Sequence, residues 1–153
     1  MRDCGRDYIC VIGSLNYDII MKQKRMPLLG ETYTADSITY SGGGKGANQA
    51  CAAGRLGGRV RMLGCVGQDE FGQKLVKSLS ESGVETDYIK ESRDLPTGTA
   101  VIYVDDNGDN SIVVIPGANM ACDIEYLKEQ DEQFHWCDYV VLQMEIPYEA
   151  VWY

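Results

Sequence analysis

The run Ser41-Gly42-Gly43-Gly44-Lys45-Gly46-Ala47-Asn48-Gln49-Ala50-Cys51-Ala52-Ala53-Gly54 constrains the fold more than any other part of the chain. Four glycines in six residues demand a tight turn, and the small residues behind them predict a helix over 47–53 whose backbone lies very close to its neighbours. Such a helix needs a sheet to lie on. Tyr8-Ile9-Cys10-Val11-Ile12-Gly13 before it and 59–67 after it read as short buried strands, apolar and ended by glycine. Asp69 then suits the N-cap of a helix whose apolar positions Phe71, Leu75, Val76 and Leu79 keep helical spacing, with Gly83 as its stop. Strand, glycine turn, helix, strand, helix is the pattern of an α/β domain with a parallel sheet.

Other segments look more exposed. Two extended pieces, around 17–22 and 31–40, are split by the breaker Met26-Pro27-Leu28-Leu29-Gly30. Stretches 97–104 and 110–115 flank Asp105-Asp106-Asn107-Gly108-Asp109, a strong hairpin signal. A weaker helix is expected over about 123–133. Tyr139-Val140-Val141-Leu142 reads as a further buried strand, running out at Gln143-Met144-Glu145-Ile146-Pro147. Glu149-Ala150-Val151-Trp152 looks like the first turn of a helix, which suggests a cut rather than a natural terminus.

Composition excludes several classes of partner. The 153 residues carry 23 acidic against 14 basic side chains, a formal charge of −9. That balance repels phosphate backbones and anionic lipid, so neither nucleic acid nor membrane is expected as a partner. No run of about 18 apolar residues is present, and the first residues do not look like a secretory signal. The six cysteines, Cys4, Cys10, Cys51, Cys65, Cys122 and Cys137, form no C-x-x-C pair and have only His135 to complete a metal site. Free thiols packed as small hydrophobes fit a cytoplasmic protein, and no metal site is expected. His135 is read as a surface or packing histidine.

Three separated stretches carry chemistry. The glycine cluster loosely satisfies G-x-G-x-x-A, but no acidic residue ends strand 59–66 to grip a ribose, so a dinucleotide fingerprint fits poorly. A phosphate-binding loop fails as well, because Gly46 stands where Ser or Thr is needed and Thr39 where the leading glycine belongs. A plain tight turn remains open; Lys45 and Asn48, near a helix N-terminus with free N–H groups, favour a positioned polar ligand. In Gly13-Ser14-Leu15-Asn16-Tyr17-Asp18, Asn16 and Asp18 follow a buried strand at its carboxyl end, where open α/β sheets place ligands. An extended chain points both to one side, and an amide beside a carboxylate suits vicinal hydroxyls, although an Asx turn would use the same residues. Glu145 lies at the carboxyl end of the last strand, as a site residue or as a surface glutamate.

These stretches resemble the ribokinases, within the wider PfkB-type carbohydrate kinases, in order and spacing. The resemblance rests on Val11-Ile12-Gly13-Ser14-Leu15-Asn16-Tyr17-Asp18, on Gly42 through Gly57, and on Leu142-Gln143-Met144-Glu145-Ile146-Pro147. Val66-Gly67-Gln68-Asp69-Glu70-Phe71-Gly72 and Ile115-Pro116-Gly117-Ala118-Asn119 are further landmarks. It implies a ribokinase-like α/β fold over 1–153, a partial parallel sheet flanked by helices, with a small β lid at about 17–40 and 97–115. It also implies a furanose pocket in which Asn16 and Asp18 hold ring hydroxyls, Gly43, Gly44, Lys45 and Asn48 line the sugar, and Glu145 completes the polar ring. The lid would exclude water during phosphoryl transfer and mediate a homodimer. The family's catalytic aspartate lies in a Gly-Ala-Gly-Asp motif, which does not occur in this sequence. The sites for ATP, Mg2+ and a monovalent cation such as K+ are likewise expected in an absent carboxyl half, so no catalytic residue is expected here and this chain alone should be inactive. The implied activity of the whole enzyme is phosphorylation of D-ribose on its 5-hydroxyl. A non-catalytic sugar-binding or self-associating remnant is the alternative, and a dinucleotide-binding oxidoreductase a distant third.

Overall fold

The computed structural model describes residues 7–135 and 137–153, which leaves Cys4 and Trp136 outside the described residues. The described residues form nine strands: β1 (Tyr8–Ile12), β2 (Asn16–Lys22), β3 (Ser37–Gly43), β4 (Arg59–Gly67), β5 (Val84–Glu85), β6 (Ile89–Ser92), β7 (Gly98–Val104), β8 (Asn110–Ile115) and β9 (Tyr139–Leu142). Its α-helices are α1 (Lys45–Arg55), α2 (Glu70–Glu81), α3 (Ile124–Glu129), α4 (Asp131–His135) and α5 (Tyr148–Trp152), with a 3₁₀ turn at Gly117–Ala121.

The first sheet is parallel, in the order β5-β4-β1-β9, with β6 pairing the far end of β4. Period-two alternation along β1 and β4 sorts its side chains onto two cores. Val11, Val60, Met62 and Val66 meet Ala47 and Ala50 of α1 and Leu75 and Leu79 of α2. Cys10, Ile12, Leu63 and Cys65 meet Ala118, Cys122, Tyr126, Leu127 and Ala150 on the opposite face. Small side chains bring α1 against the sheet, as the 47–53 run predicts. Cys10, Cys65 and Cys122 are buried free thiols, and burial, then the neighbouring Cys137, pushes the Cys10 thiol well above its usual range. His135 is exposed, its Nδ1 2.7 Å from the Asp131 carbonyl.

A second sheet, β3-β2-β7-β8, stands beside the first. In it β2 runs antiparallel to β3 and parallel to β7, and β7–β8 is the expected hairpin. Only Gly13, Ser14 and Leu15 separate β1 from β2. The sheet is tied to α2 by Tyr17, whose ring stacks on Phe71 at 4.4 Å between centroids. Every residue of β8 is exposed, as are Ile38 and Tyr40 of β3.

Four expectations need correction. Ser41–Gly43, expected in the turn, are the last residues of β3, so the turn itself is Gly44 alone and α1 starts at Lys45. Residues 31–36 are not strand: the Arg25 guanidinium grips Glu31 at 2.9 and 2.6 Å and closes a loop there. The helix expected over 123–133 breaks at Gln130: α3 fully buries Tyr126 and Leu127, whereas α4 sets only the partly buried Phe134 against the core. Strand β9, expected to be buried, pairs only with β1 among the described residues, and Tyr139, Val140 and Leu142 are exposed. An apolar run has the same pattern whether it lies inside a sheet or at its edge.

Candidate functional site

The site forms where β1 and β3 end and α1 begins. Antiparallel pairing of β2 with β3 sets Gly43 opposite Asn16 and Ser41 opposite Asp18. Gly44 then turns the chain at φ 90°, a left-handed conformation that glycine alone enters without strain, and α1 starts at the next residue. A β-carbon on Gly44 would also stand 2.7 Å from the Asn16 nitrogen.

An α-helix leaves its first N–H groups without intrahelical partners. In α1 they are satisfied by residues distant in sequence. Glu145 Oε2 accepts from Lys45 N at 3.3 Å, Ser14 Oγ from Gly46 N at 3.4 Å, and Ser14 O from Ala47 N at 3.0 Å. Glu145 also accepts from Lys45 Nζ at 2.8 Å and from Ser14 Oγ at 2.7 Å. Burial pushes its carboxyl up, but the bonds from Lys45 and Ser14 outweigh that and hold it below the usual carboxylate range.

Asp18 is the opposite case. Two residues along β2 from Asn16 and on the same strand side, its half-buried carboxylate accepts no hydrogen bond among the described residues. It lies over Gly43, where an added β-carbon would come within 2.2 Å of Asp18 Oδ2. Burial first, and then the negative charge of Glu145, raises its pKa above the usual value. The site thus holds one carboxylate already engaged and one without a partner.

Asn16, Asp18, Gly43, Gly44, Lys45 and Glu145 therefore converge on one strand–helix junction. Asn48, one turn into α1, is exposed and shares with Ser41, Gly42 and Gly43 the wall of a cleft of about 330 Å³ that runs toward Leu75 and Ser78 of α2. Sequence reasoning missed the residues that hold this junction together. Ser14 is fully buried between Glu145 and α1. Gln143 accepts from Ser14 N at 3.3 Å and donates to Ile12 O at 3.3 Å and Gln49 Oε1 at 2.9 Å. Asn119, within a stretch singled out only as a landmark, bonds Leu15 N at 2.8 Å and Asn16 Oδ1 at 2.7 Å. Among the described residues no group of three or more His, Cys, Asp or Glu side chains could hold a metal ion, and no helix is long and apolar enough to cross a membrane.

A parallel sheet with helices on both faces, a smaller sheet beside it, and a polar cluster at the strand ends make an α/β architecture with a candidate ligand site. The pfkB family carbohydrate kinase pattern matches residues 6–150, and the chain belongs to that family. It is 40% identical over 149 residues to the ribokinase of Schizosaccharomyces pombe, an alignment that covers 94% of this chain and 47% of that protein. It is 44% identical over 143 residues to the ribokinase of Bacillus subtilis, covering 94% and 48% respectively. Arabidopsis thaliana ribokinase complexed with ribose and ATP superposes with a TM-score of 0.81 at 34% identity, over 94% of this chain and 47% of that one. Ribokinase from Thermotoga maritima gives 0.87 at 35% identity, over 95% and 48%. The fold is therefore ribokinase-like, and the chain spans about half the length of the curated relatives it matches.

Proposed function

We propose that this chain forms the sugar-binding half of an ATP-dependent kinase that phosphorylates D-ribose on its 5-hydroxyl. The observation that carries the reading is the Asp18 carboxylate, half-buried, without a partner among the described residues, and set beside Asn16 over Gly43. An ionised carboxylate in that position is held for donors that a bound molecule supplies, and two vicinal hydroxyls match its two oxygens. Asn16 adds an amide on the same strand side, Gly43, Gly44, Lys45 and Asn48 line the sugar, and Glu145 closes the polar ring while orienting Lys45. Absence of side chains on Gly43 and Gly44 lets a ligand approach the backbone.

The sheet of β2, β3, β7 and β8, within about 17–40 and 97–115, is the lid in this reading. It covers the sugar and keeps water from the phosphoryl group. Its exposed apolar residues Ile38, Tyr40, Ile112, Val113, Val114 and Ile115 support a homodimer in which a second copy covers them. ATP supplies the phosphoryl group when bound; its site and those of Mg2+ and a monovalent cation such as K+ are assigned mostly outside this chain, whose sequence lacks the Gly-Ala-Gly-Asp motif. The chain alone is accordingly assigned sugar binding without turnover, in a cytoplasmic protein.

Calorimetric titration of the full-length protein with D-ribose, and separately with NAD, tests this reading. Ribose should bind, and Asp18→Ala should remove on the order of 2–4 kcal/mol of binding energy. Unchanged ribose affinity in that variant would take Asp18 out of the site, and NAD binding without ribose binding would sink the kinase assignment.

A further inference from the structure

The direction in which the Asn16 side-chain amide points follows from backbone atoms alone. Asn119, 1% exposed, sits in the 3₁₀ turn Gly117–Ala121. One end of its amide meets the Leu15 N–H at 2.8 Å, and a peptide N–H only donates, so that end is the oxygen. The other end faces two carbonyls, Leu15 O at 3.2 Å and Pro116 O at 3.0 Å, so it is the NH₂ group. That NH₂ group also lies 2.7 Å from the Asn16 side chain, whose facing atom must accept and is therefore Oδ1. The Asn16 NH₂ group is turned away from Asn119 and has no hydrogen-bond partner among the described residues; none of their buried side-chain polar atoms lacks a partner, so this group reaches solvent although the residue as a whole is only 5% exposed.

We infer that Asn119 is a positioning residue that sets Asn16 as a hydrogen-bond donor to the bound sugar, two residues from the acceptor Asp18. This deepens the sugar-kinase reading and rests on it. With Asn16 held this way, β2 offers one donor and one carboxylate on the same side. A diol fits that pair when one oxygen accepts from Asn16 while its protons go to Asp18. A flipped Asn16 would instead present a second acceptor beside the carboxylate, and both would compete for the same hydroxyl protons. Asn119 follows directly on the β7–β8 hairpin, so the residue that fixes this polarity is delivered by the exit from the second sheet.

The test replaces Asn119 by aspartate in the full-length protein. Asn119→Asp keeps an oxygen for the Leu15 N–H but puts a second oxygen against Asn16 Oδ1, which forces the Asn16 amide to rotate. D-ribose affinity should fall about 10- to 100-fold, the effect of losing one or two hydrogen bonds to the ligand. In turnover the KM for ribose should rise while the KM for ATP stays put. Unchanged ribose affinity overturns the inference. A buried carboxylate can also unfold a protein, so a second measurement uses the unmutated chain: hydrogen exchange of the asparagine side-chain NH₂ signals by ¹⁵N NMR, with Asn16 assigned through Asn16→Asp. The Asn119 NH₂ should exchange slowly, whereas the Asn16 NH₂ should exchange fast and shift on addition of D-ribose. A protected Asn16 NH₂ in the ligand-free protein overturns the inference even if ribose binds. If the unmutated protein binds no ribose, the sugar-site reading fails, and the ligand-free exchange still decides which way Asn16 points.

Discussion

Lys45 Nζ and Glu145 Oε1, 100 residues apart in sequence, meet at 2.8 Å at the N-terminus of α1. The pair joins the segment after β9 to the glycine turn, and it leaves Asp18 as the carboxylate of the site without a partner among the described residues. Glu145 has a depressed pKa in the folded state, so its stabilising contribution is present above the ordinary carboxylate range and is lost as pH falls through the depressed value. Lys45→Met should move the Glu145 pKa back toward the usual range, visible in an NMR titration of its carboxyl carbon. Lys45 is 68% exposed, so solvent screening limits the loss of stability in urea to below about 1 kcal/mol. A loss several times larger would mean that the pair is shielded from water far better than its exposure indicates.

Asp18 follows the reverse sign. Its folded-state pKa is raised, so its contribution to stability is complete below the ordinary carboxylate pKa and disappears as pH rises through the raised one. At neutral pH the ionised group therefore weighs against folding of the ligand-free protein. Asp18→Asn should raise the ligand-free melting temperature at pH 7 and abolish ribose binding, a trade of stability for function. Thermal melts with and without D-ribose check both halves. Ribose affinity of the unmutated protein should also weaken as pH falls through the Asp18 pKa, because a protonated carboxyl accepts fewer hydrogen bonds. A melting temperature lowered by Asp18→Asn would show that the carboxylate has a structural partner after all.

Local chemistry made much of the framework legible in the sequence. Strand 59–67, the Asp69 cap, the Gly83 stop and the hairpin strands each depend on neighbouring residues, and the structure places them as expected, apart from a one-residue shift at the start of β7. Where tertiary pairing decides, the pattern was silent. Ser41–Gly43 look like turn residues, yet their register against Asn16, Tyr17 and Asp18 makes them strand. The two-residue β5 and four-residue β6 carry too little period to see, and they exist because β4 offers an open edge. Ser14, Asn119 and Gln143 each have a partner 103 to 131 residues away, so no spacing within the sequence could reveal those bonds. The residues alone put Asn16 and Glu145 at the carboxyl ends of strands; that they meet Gly43 there was accessible only through the resemblance.

Adjacent glycines should respond differently to the same substitution. At Gly43 the conformation is ordinary, but a new methyl group would strike the Asp18 carboxylate. Gly43→Ala should therefore fold, displace Asp18 and lower ribose affinity by more than about tenfold, with most of the stability kept. At Gly44, φ is +90° and the β-carbon would press on the Asn16 backbone. Gly44→Ala should lose more than about 1 kcal/mol of stability whether or not ligand is present. Urea melts and ribose titrations of the two variants separate these effects. Equal stability losses would mean that the positive φ at Gly44 is not required.

Asp69 joins the two sheets through α2. Its Oδ1 accepts from Gly72 N at 2.9 Å, capping α2, and from Thr97 Oγ1 at 2.6 Å, while Oδ2 accepts from Thr97 N at 2.8 Å. Thr97 immediately precedes β7, so the carboxylate fixes the point where the chain enters the second sheet. Burial pushes the Asp69 pKa up, but the bonds from Thr97, Gly72 and Phe71 outweigh it and hold it low, so this stabilisation is lost as pH falls through the depressed value. Asp69→Ala should cost on the order of 1–2 kcal/mol at pH 7 and speed hydrogen exchange at the start of β7. Asp69→Asn should retain the cap through its remaining oxygen but set an NH₂ group against the Thr97 N–H, where two donors cannot pair. Its stability should fall between the parent and Asp69→Ala, with the fast exchange at β7 retained. If Asp69→Asn instead leaves β7 protected, the capping bond alone accounts for Asp69, and the entry of the second sheet is held by the bond from Gly67 N to Thr97 Oγ1 at 2.9 Å.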